Sequence, residues 1–352
     1  MLQASFLFLG GAGCFLGICL RHSIIKLYLC FKKNTLLRAA HPPGGVPNKC
    51  FLMDDKIKGY IYGIISAVSY AMNPLGALFL YEENIQPVSV LFYRFLLGTG
   101  RLGVIMLIQR RSLAVKLGEL KVLALLGLIF AGSSLTFFES FRHLGGGVAA
   151  TIVFMYPVMV ALLMAVFFKE RLTVATGGAI LMTVGGILLL YKGDDGSTLS
   201  TVGIVLALLS ALAYAVYIVV VNRSSLSMPS VKLTFYAMFF CLACIVLWSF
   251  VGGEPLQQLT SPRQWFFASL LGLVPTVISL LFMTMAIHYI GSTPTAVMGA
   301  LEPVTAVLIG FFIFGEALTA RLMMGVVVIL AAVILIVFSR HVNKLFNRLM
   351  NK

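Results

Sequence analysis

From residue 57 to residue 339 the chain is a succession of apolar runs of about 20 residues, separated by short polar breaks. A run of that length crosses a hydrocarbon core of about 30 Å as a helix. Backbone groups in lipid must pair internally, which leaves helices or closed barrels, and these runs are continuous rather than alternating. The expected fold class is therefore an all-α polytopic membrane protein. Composition agrees: 60% of the residues are hydrophobic and 11% charged, against about 25% charge in soluble domains.

Ten transmembrane helices are predicted, at 58–80, 87–109, 120–142, 146–168, 174–191, 202–222, 231–251, 264–287, 293–314 and 320–339. Breakers mark the boundaries at Tyr81-Glu82-Glu83-Asn84, Gly145-Gly146-Gly147, Gly193-Asp194-Asp195-Gly196-Ser197, Gly252-Gly253-Glu254-Pro255 and Gly291-Ser292-Thr293-Pro294. Residues 1–52 stand apart as an N-terminal extension, with positive charge after their apolar stretch, the reverse of a signal peptide. They read either as an extra span or as a wrongly chosen start; the second is favoured, because Met53-Asp54-Asp55-Lys56 resembles an ordinary short N-terminus. Residues 340–352 form a basic tail.

Lys and Arg set the orientation. With the residue-53 end in the cytoplasm, Lys56, Lys58, Arg110, Arg111, Lys116, Lys121, Lys169, Arg171, Arg223, Lys232, Arg340, Lys344, Arg348 and Lys352 fall inside. Only Arg142, Lys192, Arg263 and Arg321 fall outside. The expected location is the cell inner (plasma) membrane, multi-pass, with both ends of the ten-helix body cytoplasmic.

The net charge of +14 sits in short clusters between apolar runs, without the basic face or aromatic platforms of a nucleic-acid binder. Cys241 and Cys244 form a C-x-x-C pair inside an apolar span, out of place for redox chemistry and read as small packing residues. No metal, cofactor or catalytic motif is expected: the five His are scattered singly and no Asp lies within a span. A membrane-embedded enzyme is thus the lesser alternative. No nucleotide-binding motif is found either.

The sequence repeats itself. Tyr156-Pro157-Val158 opens a stretch ending Phe168-Lys169-Glu170-Arg171-Leu172-Thr173, and Glu302-Pro303-Val304 opens one ending Phe314-Gly315-Glu316-Ala317-Leu318-Thr319, at a separation of 146 residues. Ser66-Ala67 and Tyr70-Ala71 are matched by Ser210-Ala211 and Tyr214-Ala215 at 144. Repeats of five helices, at 57–191 and 202–339, enter the membrane in opposite senses because five is odd. Inverted repeats recur in secondary transporters, where the two copies exchange conformations about a central site. The two P-V…E-x-L-T stretches and the two S-A-x-x-Y-A stretches resemble the EamA-type drug/metabolite transporter family. That resemblance implies a ten-helix inverted-repeat carrier for metabolites or amino-acid-like solutes, commonly an exporter, with a flippase of lipid-linked substrates as the variant.

An ionised side chain at mid-bilayer costs about 2.5–3.5 kcal/mol and needs a partner or a watery cavity. The candidates are Arg94 and Arg101, two turns apart on the second span, and Glu302 on the ninth. In the functional reading Arg94 binds an anionic group of a small-molecule solute and is balanced by Glu302 or Glu139. The alternative is a fixed Arg94–Glu302 pair, with Arg101 snorkelling. Tyr70, Asn73 and Tyr214, together with Tyr93, Tyr156 and Tyr217, are candidates to line the cavity, against a role as lipid or interface anchors. Pro157 and Pro303 read as hinges or tolerated bends. Glu170 and Glu316 read as structural turn carboxylates, each stabilising the N-terminus of the next helix. Glu302 is also the candidate for proton coupling. Oligomeric state is left open.

Overall fold

The computed structural model describes residues 49–110, 112–169, 174–191, 199–224, 228–252, 254–290, 295 and 298–350. The chain divides into two compact units, Met1–Met53 and Asp54–Lys352. Of the first, only residues 49–53 are described, so the predicted extension lies almost wholly outside the described residues. The second unit carries the fold.

All regular structure among the described residues is helical. The order is α1 (Lys49–Ala71), α2 (Asn73–Glu82), α3 (Pro87–Ile108), α4 (Leu117–Ser140), α5 (Gly146–Val153), α6 (Tyr156–Phe168) and α7 (Val174–Tyr191), then α8 (Thr201–Arg223), α9 (Ser230–Val251) and α10 (Pro262–Gly272). A π-helical turn (Leu273–Ile278) leads to α11 (Ser279–Ile290), α12 (Leu301–Phe314) and α13 (Ala320–Met350). Among the described residues, seven helical stretches are long and apolar enough to cross a membrane: Lys56–Glu82, Pro87–Ile108, Leu117–Ser140, Gly146–Phe168, Thr201–Val221, Val231–Val251 and Pro262–Ile287. Three shorter apolar helices, Gly177–Leu189, Leu301–Phe314 and Ala320–Leu335, occupy the other predicted spans. Large apolar side chains such as Leu107, Phe167, Leu181, Phe250 and Phe312 stay exposed on this surface, which suits hydrocarbon rather than water.

Several predicted spans are not continuous helices. The first breaks at Met72, where Asn73-Pro74 begins α2. The fourth breaks at Phe154-Met155 before Tyr156-Pro157 begins α6. The eighth holds the π-helical turn around Pro275, and in the ninth α12 starts only at Leu301, two residues before Pro303. Pro157 and Pro303 therefore do not kink helix interiors. Each sits in a first turn, where the missing N–H has no intrahelical partner to lose.

The two halves of the chain interlock helix against helix. α5 packs on α12, α7 on α13 and α3 on α9, while α4 packs on α8 and on α9. Equivalent contacts recur across the halves. Ser133 Oγ donates to Ser210 O at 3.0 Å and Ser66 Oγ to Ser279 O at 2.8 Å. Ser66 matches Ser210 in the repeat, and Ser133 matches Ser279, so each half's first span meets the other half's third. Loops follow the same rule. The Tyr93 hydroxyl donates to Gln257 O at 3.2 Å, and the Tyr236 hydroxyl to Leu113 O, so a tyrosine on each second span holds the other half's second loop.

Side chains fix the helix starts as well. Ser261 Oγ accepts from Gln264 N at 3.1 Å and Gln264 Oε1 accepts from Ser261 N at 3.2 Å, a reciprocal cap on α10. The αL residues that end α6 and α12 are Lys169, at φ 54°, and Gly315, at φ 66°. These are matched positions of the repeat, and the conformation explains the glycine.

Candidate functional site

The broken helices meet around one cavity of about 100 Å³. Ala71, Asn73 and Pro74 come from the first break, Phe154 and Tyr156 from the second, and Glu302 from the start of α12. Breaks of this kind place helix ends and unpaired backbone at the centre of a span, where a solute can use them.

Arg94 is 4% exposed and lines the cavity from α3. Its Nε donates to Thr276 Oγ1 at 3.2 Å, within the π-helical turn, and Thr276 Oγ1 in turn donates to Leu271 O at 2.9 Å. The guanidinium lies over Phe138, 5.1 Å from the ring centroid, and over Phe95 at 5.3 Å. Tyr70 lies beside it. No carboxylate lies within 4.0 Å of Arg94 among the described residues. Glu139 is held instead by Arg142 at 3.1 Å, with His143 at 3.9 Å. Glu302 lines the same cavity but makes no ion pair with Arg94, so the fixed Arg94–Glu302 pair is not formed.

Five of the six residues read as cavity-lining come together here: Arg94, Glu302, Tyr70, Tyr214 and Asn73. Arg101 does not. It is half-buried, and its guanidinium donates to Ser269 O at 3.2 Å and Ser269 Oγ at 2.5 Å. Two turns along α3 from Arg94, it meets α10 where Arg94 meets the π-helical turn, so spacing alone does not separate the two. Tyr93 also faces elsewhere, with its ring on Trp265 and its hydroxyl on the loop. Tyr156 and Tyr214 pack edge to face, 4.9 Å between centroids, as part of the aromatic wall. Tyr217 stacks on Tyr214 at an interplanar angle of 5° without lining the cavity.

Glu316 accepts from Gly146 N at 2.8 Å. It therefore caps α5, a helix of the opposite half, rather than the helix that follows it. Glu170 lies outside the described residues. The sequence reading missed the buried serines Ser133, Ser134 and Ser279 and the broken first span. Pro74 and Pro275 carried the signal for two of the breaks.

The model of the EamA-like transporter family matches twice, over residues 57–192 and 201–338. The chain belongs to the EamA-like transporter family. Among relatives of this EamA-like chain is an "uncharacterized transporter" of Archaeoglobus fulgidus, 26% identical over 281 residues, which cover 78% of this chain and 96% of the relative. A second from the same organism is 28% identical over 187 residues, covering 53% of this chain and 65% of that relative. A crystal structure described only as that of a protein shares the fold, with a TM-score of 0.57 at 19% identity over 79% of this chain and 95% of the other.

Proposed function

We propose that the chain is a secondary carrier that moves a small solute bearing an anionic group across the inner membrane by alternating access, in the export direction. Arg94 is its anion-binding residue. The observation that carries this is a buried guanidinium facing a cavity with no carboxylate within 4.0 Å among the described residues. A charge in the bilayer interior without a fixed partner costs about 2.5–3.5 kcal/mol, which an incoming anion offsets. Phe95, Phe138 and Thr276 fix the guanidinium plane, with Tyr70 beside it, and a carboxylate or a similar group is the anion that suits a guanidinium held in this way.

The three shorter apolar helices complete ten spans, in two five-helix repeats at 57–191 and 202–339 that lie oppositely in the membrane. The crossed serine pairs and crossed tyrosine contacts support that symmetry, since each is matched by its counterpart in the other half. Exchange of the two conformations opens the cavity to each side in turn.

The test is counterflow of a radiolabelled amino-acid and metabolite panel in proteoliposomes holding the full chain or its Arg94→Ala variant. Saturable exchange that the variant loses is the expected result. Absence of exchange for every solute, or exchange indifferent to Arg94, contradicts the reading and points to a lipid-linked substrate or to a non-transport role.

A further inference from the structure

α5 is a half-helix of eight residues, about 12 Å long, that runs from the turn after α4 to the cavity. Its Ala150 and Val153, and Phe154 at the break that follows, line the cavity. At its start three glycines each meet a different neighbour. A Cβ on Gly145 would come within 2.7 Å of the Glu316 carboxylate, one on Gly146 within 2.6 Å of Pro74 Cβ, and one on Gly147 within 2.7 Å of Val307 Cα. α2 and α12 thus reach α5 at a distance that only missing side chains permit.

Glu316 fastens this contact. Its Oε1 accepts from Gly146 N at 2.8 Å, and its own N donates to Gly310 O at 3.0 Å. Gly315, left-handed at φ 66°, turns the chain so that the carboxylate lies over Gly310 and against the start of α5. There it meets an N–H with no intrahelical partner and the positive end of the helix dipole. Glu316 belongs to the second half of the chain and α5 to the first, so the bond ties the halves together. At the matched positions the repeat reads Gly291-Ser292-Thr293, with side chains at two of the three.

We infer that Glu316 and the three glycines form a latch that holds α5 closed over the cavity on one side of the membrane, the outer side in the orientation that Lys and Arg set. The inference rests on the alternating-access reading and gives it a gate. To open that side, α5 must leave Pro74 and Val307, and the Gly146–Glu316 bond breaks with it. The break at Phe154-Met155 is the joint, since it lets eight residues swing without unwinding α6. Loss of the bond therefore favours the conformation open on the Glu316 side at the expense of the other.

The reporter is Ser134→Cys, on the cavity wall that α4 contributes, in the full chain with its native cysteines replaced. It is reconstituted in vesicles and labelled from each face with a membrane-impermeant thiol reagent. Glu316→Ala is expected to speed labelling from the Glu316 face about tenfold without speeding it from the opposite face. Glu316→Gln keeps an acceptor for Gly146 N and should stay within about threefold of the parent. Gly147→Ala, which forces α5 off the Val307 backbone, should act in the same direction as Glu316→Ala, and Gly100→Ala, whose added methyl meets nothing within 4 Å, should not. Unchanged rates in Glu316→Ala, or rates raised equally from both faces, overturn the latch and leave alternating access standing. Labelling from one face alone, in the parent and in every variant, contradicts alternating access itself and the latch with it.

Discussion

Ser133 and Ser210 exchange hydrogen bonds across the two halves of the chain, each hydroxyl donating to the other's backbone carbonyl, at 3.0 and 2.8 Å. Ser66 and Ser279 occupy the matched positions. Hydrogen bonds between membrane helices contribute about 0.6 kcal/mol each on average. A double-mutant cycle of Ser133→Ala and Ser210→Ala, read by unfolding in mixed micelles, is expected to give a coupling of about 0.6–1.7 kcal/mol. Strict additivity would show that the contact does not join the halves.

Thr276 holds Arg94 by its Nε. Thr276→Val removes the acceptor at nearly constant volume and is expected to raise the KM for the carried solute about tenfold, with protein yield maintained, since a hydrogen bond to a charged group contributes about 1.5–3 kcal/mol. Thr276→Ser restores the oxygen and should restore the KM. An unchanged KM in the valine variant would show that the π-helical turn does not position the guanidinium.

Lys169 adopts φ 54° at the end of α6, where its repeat counterpart is Gly315 at φ 66°. The left-handed conformation disfavours a side chain with a Cβ. Lys169→Gly is expected to stabilise the chain by about 0.5–1 kcal/mol and Gly315→Ala to destabilise it by a similar amount, both read as midpoint shifts in denaturant.

Gly127 on α4 lies against α9, where a Cβ would come within 2.9 Å of Cys241 N. Backbone cannot move aside as a flexible side chain can, so Gly127→Ala is expected to cost about 1–3 kcal/mol. Gly100, where an added methyl would meet nothing within 4 Å, is the control. Gly100→Ala should change stability by no more than about 0.5 kcal/mol. Equal effects of the two substitutions would contradict the close α4–α9 contact.

The cavity was legible in the sequence as far as its charges were, because Arg94, Glu302 and Asn73 are conspicuous in apolar surroundings where each needs a reason to be present. Arg101 is equally conspicuous, but its surroundings depend on what α10 presents at that height, which spacing along α3 does not encode. The breaks at Met72 and around Pro275 were masked by hydropathy, since an apolar window runs on across a change of helix geometry. The partner of Glu316 lies 170 residues away and follows from the packing of the halves rather than from any local pattern. Ser66 and Ser210 were visible as a repeat match, yet their bonding to Ser279 and Ser133 depends on the third spans crossing between halves.

Alternating access requires that one cavity be reached from both faces of the membrane. Ser134 lines it and is buried. In a chain with all six native cysteines replaced, Ser134→Cys should react with membrane-impermeant thiol reagents applied to either face of oriented vesicles, and the carried solute should slow both reactions. Labelling from one face alone under all conditions would contradict alternating access and leave the cavity a one-sided pocket.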